Sequence, residues 1–135
     1  MAPNLLACPR SVAEHLMAAH RLAGPAALVR EMFDLDLVRF RDIDIECYSK
    51  VTVLNDTGSI LRVKGRVTNT TTNKISTAIQ RKLRQIFEDV NLSDYSGTRY
   101  PIVVRSFQER NTQTQLPELL LVVRSNGVLK IREDL

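Results

Sequence analysis

The sequence predicts an α+β domain: a mostly antiparallel sheet with a long β-hairpin and helices packed on one side, in the order α-β-β-α-β-β-β. Three observations carry this. Residues 43–53 alternate strictly, with Ile43, Ile45, Cys47, Ser49, Val51 and Val53 on one face against Asp44, Glu46, Tyr48, Lys50 and Thr52. A second alternating stretch sets Leu61, Val63, Gly65 and Val67 against Ile60, Arg62, Lys64 and Arg66. Then Ile75, Ala78, Ile79, Leu83, Ile86, Phe87 and Val90 recur at helical spacing.

A chain of 135 residues suggests a single domain over 1–135, made of an N-terminal arm (1–10), a helical segment (11–33) and an α+β core (37–135). Apolar residues are 44% of the chain and Trp is absent, so Val, Leu and Ile must do most of the packing.

In chain order, Ser11 and Glu14 form the capping-box pattern S-x-x-E. A helix over 12–23 follows, with Val12, Leu16, Ala19 and Ala23 on one side and Gly24-Pro25 as its stop. Pro25 can open a short second helix through Phe33. Val38 and Phe40 are out of phase with Ile43 and Ile45, so a bulge or a strand break is expected at Arg41-Asp42.

The hairpin loop is expected at Asp56, Thr57 and Gly58, with a left-handed glycine closing a type I turn. That loop would set Val53 opposite Leu61 and Val51 opposite Val63. Residues 69–73 read as a polar connection in which Thr72 or Asn73 caps the helix over 75–90. Residues 91–99 read as a loop and 102–109 as a strand, with Pro101 at its start. A polar Thr/Gln tract covers 111–115. Residues 118–124 are nearly continuous apolar sequence, as in a central strand. Asn126-Gly127 suits a hairpin turn, returning as a last strand over 128–133.

Net charge is +4 and uneven. Between Thr57 and Phe87 no Asp or Glu offsets the seven Lys and Arg residues. Such an excess favours acidic partners, either protein surfaces or nucleic acid. Arg62, Lys64, Arg66, Lys74, Arg81 and Arg84 are the interaction candidates, with Lys82 and Gln85 also on the helix's outer side. Cys8 and Cys47 have neither metal nor redox spacing, and Cys47 reads as a core residue. His15 and His20 are five apart, whereas zinc-binding helices use three or four. No nucleophile-elbow, P-loop or dinucleotide motif occurs, and the expectation is no enzyme, no cofactor, no metal and no small-molecule substrate.

No apolar run reaches membrane-spanning length. The N-terminus contains Arg10 and has Glu14 as its one acid before Glu31. Organelle import therefore stays open beside the expected location in a virion or a cytoplasmic assembly.

Two resemblances follow from element order. Asp44 and Glu46 share a strand face beside Lys64, and the order helix, hairpin, helix, strand resembles the core of the restriction-endonuclease-like fold. That resemblance implies a divalent-metal nuclease site at Asp44, Glu46 and Lys64. The sequence departs from the family pattern at Arg62, where an acid normally stands two residues before the lysine, so the domain would be degenerate. The same order also resembles the small tail-terminator and neck proteins of tailed phages, which implies a ring- or tube-forming virion component.

A hairpin about ten residues a side reaches ~30 Å and needs a sheet or a partner to cover it. The expected function is thus a non-enzymatic structural or assembly subunit, contacting copies of itself or neighbouring structural proteins. The alternative is a nucleic-acid-binding protein.

Overall fold

The structure, a computed structural model, describes residues 8–40, 43–53, 56–65, 69–88, 102–110, 113, 117–125 and 129–135. The class is α+β. Helices α1 (Arg10–Ala23), α2 (Pro25–Asp34) and α3 (Asn69–Ile86) accompany strands β1 (Ile43–Val53), β2 (Asp56–Gly65), β3 (Ile102–Arg110) and β4 (Pro117–Ser125). The strands form one antiparallel sheet in the order β1-β2-β4-β3.

Strand β4 occupies the middle. Leu119, Leu121 and Val123 join the main core with Leu61 and Val63 of β2 and with residues of all three helices. Leu120 and Val122 point the other way and form a small cluster with Ile60. Burial on both faces explains why β4 is apolar without alternation.

Helix α1 starts earlier than its capping-box pattern implies. Pro9 precedes it with no side-chain cap, and Glu14 pairs with Arg10 at 3.7 Å. The buried face is Ala13, Leu16 and Met17, while Val12 and Ala19 are partly exposed and Ala23 is exposed. That face joins the main core, and α2 is the element packed most closely against α1.

Gly24, at φ 91°, joins α1 to α2, a backbone shape that a Cβ disfavours. Helix α2 ends in a Schellman motif. Leu37 N–H donates to the Met32 carbonyl at 2.9 Å and Asp36 N–H to that of Phe33 at 3.0 Å. Asp36 takes the left-handed position at φ 57°. Val38 and Phe40 form no strand; Val38 is buried and the Phe40 ring packs 6.4 Å from that of Phe33.

Three expectations are corrected in the second half. Val53 lies opposite Asp56, Val51 opposite Gly58, Cys47 opposite Leu61 and Ile45 opposite Val63, with a register shift between Tyr48 and Lys50. Gly58 is therefore a strand residue rather than a turn glycine. A Cβ there would lie 2.8 Å from Val122 Cγ1 and from Arg124 Cγ, and 3.1 Å from the Val123 carbonyl oxygen. Glycine in this strand serves close approach to β4.

Helix α3 begins at Asn69, so the Thr-rich stretch is its first turn rather than a connection. It stops at Ile86 because Phe87 bridges to Ile131. Residues 128–133 were expected to pair with the preceding strand. Both edges of β4 are already taken by β2 and β3, so the returning chain meets the end of α3 instead. Glu88 N–H donates to the Lys130 carbonyl and Arg132 N–H to that of Ile86, each at 2.9 Å. The expected N-terminal arm up to residue 7, the loop 91–99, most of the tract 111–115 and the turn at Asn126-Gly127 lie outside the described residues.

Gly58→Ala should cost about 1–3 kcal/mol, since Val122 and a backbone carbonyl must move. Gly24→Ala should cost a similar ~1–3 kcal/mol through backbone strain. Urea denaturation followed by circular dichroism measures both, and unchanged midpoints would contradict the close approach and the strain.

Candidate functional site

Helix α3 turns Ile75, Ile79, Leu83 and Ile86 into the core, spaced to fall on one stripe. The opposite side exposes Lys74, Arg81, Arg84 and Gln85. Lys82 does not share that outer side: it is only 4% exposed. Burial pushes its pKa down, partly offset by Cys8. The buried Cys8 thiol is pushed up by burial and eased by Lys82. Ser76 and Gln80 are buried on α3 too, and the Gln80 amide donates to Ser76 Oγ at 3.2 Å.

Arg81, Arg84 and Gln85 line a shallow groove of about 470 Å³ with Arg132 and Asp134. Arg132 is pinned there. Its Nε donates to Asp134 Oδ1 at 3.2 Å and its Nη1 to the Arg84 carbonyl at 3.2 Å. Among the described residues, Arg81 and Arg84 form no ion pair, so their charge faces outward. Sequence reading missed Arg132, because residues 128–133 were placed in the sheet.

The acidic candidates lie on β1. The backbone register sets Asp44 opposite Lys64 and Glu46 opposite Arg62. Facing positions on an antiparallel pair allow opposite charges to neutralise each other. Glu46 is half-buried, as is Arg62, and both have interaction partners. Arg66 lies outside the described residues, as do the side chains of Asp44, Lys64 and Cys47. Among the described residues, no group of three or more His, Cys, Asp or Glu side chains could hold a metal ion.

The two histidines have separate partners. His15 Nε2 lies 3.0 Å from Glu31 Oε2 and ties α1 to α2. His20 Nε2 lies 2.9 Å from Ser125 Oγ and ties the end of α1 to the end of β4. A serine with a histidine at this distance is the geometry of a nucleophile and its base. Among the described residues no carboxylate pairs with the His20 ring, so the third, orienting member of such a set is lacking. This contact spans 105 residues of sequence, which is why local motifs did not reveal it.

No described helix is long and apolar enough to cross a membrane. No protein-family model matches the chain, and the searches found no similar curated protein and no similar solved structure.

Burial, and secondarily Arg21, hold the His20 imidazole below its ordinary pKa of 6.5. The unfolded chain then binds this proton more readily than the folded one. The stability His20 contributes is complete above 6.5 and is lost as pH falls through the depressed value. Lowering pH from about 7.5 to about 5 should therefore reduce the urea midpoint of the wild type more than that of His20→Gln. Equal reductions would show that His20 is not coupled to folding.

Proposed function

We propose that this protein is a non-enzymatic structural or assembly subunit of a multi-protein complex, a ring- or tube-forming virion tail or neck component being the specific form. The observation that carries this reading is the place of β1. It is an 11-residue strand at the margin of the sheet, and among the described residues nothing pairs beyond it. At ~3.3 Å per residue that edge extends over 30 Å, twice the length of an average strand. Proteins shorten, charge or cover such edges, and a neighbouring copy is one cover. Helices over one sheet face leave this margin available for that contact.

The outward charge of Arg81 and Arg84 supplies a second, electrostatic contact for an acidic neighbour. The same two arginines beside Arg132 favour nucleic acid as the alternative partner. A degenerate nuclease-like site at Asp44, Glu46 and Lys64 is the less supported form of that alternative, since the register offers each acid a facing cation.

Size-exclusion chromatography with light scattering should give a multiple of the chain mass that grows with concentration. Val51→Lys should reduce the assembly to single chains while leaving the circular dichroism spectrum intact. Arg81→Glu with Arg84→Glu should weaken it on the order of tenfold. A single-chain mass at every concentration, with no co-purifying partner, would sink the assembly reading. A gel shift with steep salt dependence, abolished by the double arginine variant, would replace it with nucleic-acid binding.

A further inference from the structure

A second groove, of about 620 Å³, runs between α1 and the C-terminal segment. Met17, Leu129 and Ile131 give it an apolar floor. Its ends are charged. Arg10 Nη1 donates to the Arg132 carbonyl at 3.3 Å, which fixes the start of α1 beside Glu133. Arg21 lines the same groove eleven residues along the helix, about 16 Å away at 1.5 Å per residue. Arg10 is already held by Glu14, and Lys130 by Glu88 at 3.4 Å. Among the described residues, Arg21 and Glu133 are the groove's charges that form no ion pair.

The segment also has an open edge. The bonds from Glu88 to Lys130 and from Arg132 to Ile86 turn residues 130 and 132 toward α3's end. In an antiparallel ladder the intervening residue points its peptide groups the other way. The Ile131 N–H and C=O indeed make no hydrogen bond to any described residue.

We infer that this groove docks an extended peptide segment of a partner protein, added as a strand along the Ile131 edge. Its centre is apolar and lies over Met17 and Ile131. An acidic side chain meets Arg21, and a basic one meets Glu133 about five residues away, since 16 Å is about five steps of 3.3 Å. With Arg10 paired to Glu14 and Lys130 to Glu88, the groove's remaining charges, Arg21 and Glu133, are of opposite sign, which fits a peptide carrying both signs rather than a polyanion. This inference is independent of the assembly reading and concerns a different surface.

The test uses the full chain, ¹⁵N-labelled, titrated with a blocked hexapeptide that carries Glu first, Lys last and alternating Val and Thr between. A saturable shift of the Ile131 amide with slowed hydrogen exchange is expected. Arg21→Glu and Glu133→Lys, both at exposed positions, should each weaken binding on the order of tenfold. Arg21→Glu should in turn prefer a hexapeptide with Lys at both ends, a rescue that a merely structural arginine would not give. The inference fails if the Ile131 amide is unmoved, or if affinity ignores the peptide's charges. It fails equally if that amide is protected in the free protein in a concentration-dependent way, because a second copy then fills the groove.

Discussion

Strand β4 is the constraint on which the rest depends. It has neighbours on both edges and apolar contacts on both faces. Each buried leucine there represents about 2–5 kcal/mol against truncation to alanine. Everything beside it must fit it: Gly58 lacks a side chain so that β2 can approach Val122, and His20 reaches from α1 to close the strand's end at Ser125. Both edges of β4 itself are taken by β2 and β3, and residues 129–135 meet the end of α3 instead. The C-terminal bridge, the Arg132 contacts and both grooves are consequences of that exclusion.

Where a signal was local, the sequence was readable. Period-two and helical patterns located the regions of β1, β2 and α3, and the unbroken apolar run around Leu121 pointed to a strand buried on both faces. Where the deciding interaction was remote, reading failed. Gly58 followed Asn, Asp and Thr and so resembled a turn, but its reason is a side chain on β4, more than sixty residues later. The capping-box pattern at Ser11 lies inside the helix, which starts at Arg10 with no side-chain cap, and Glu14 pairs with Arg10 instead. Residues 69–73 looked like a linker because Thr is a weak helix former. A long, well-packed helix behind them makes extending the first turn cheap, since propagation is far easier than nucleation.

The same distinction governs the candidate sites. Acids and bases on β1 and β2 were visible as charge, but register decides their meaning. The register sets Asp44 opposite Lys64 and Glu46 opposite Arg62, facing positions at which opposite charges can neutralise each other. Among the described residues, Arg81 and Arg84 of α3 form no ion pair. Lys82 illustrates the limit of counting charge along a helix. It is two residues from Arg84, yet burial beside Cys8 removes it from the basic face. Its charge is a cost to the fold at neutral pH, since the depressed pKa means that the unfolded chain holds that proton more tightly.

The proposed contact surfaces occupy different elements: the β1 edge, the outer side of α3, and the groove along α1. Arg81 on the outer side of α3 and Arg21 in the groove along α1 share no described partner. Effects of substitutions at such sites are expected to add. A variant that abolishes self-association should therefore leave peptide docking unaltered. Coupling between the two would require a path, and the chain offers one. Arg132 contacts Arg84 of α3 through its side chain and Arg10 of α1 through its carbonyl. If occupancy of one groove changes affinity at the other, Arg132 is where the two surfaces meet. Its replacement by lysine would keep the charge but lose the forked geometry that reaches both Asp134 and the Arg84 carbonyl.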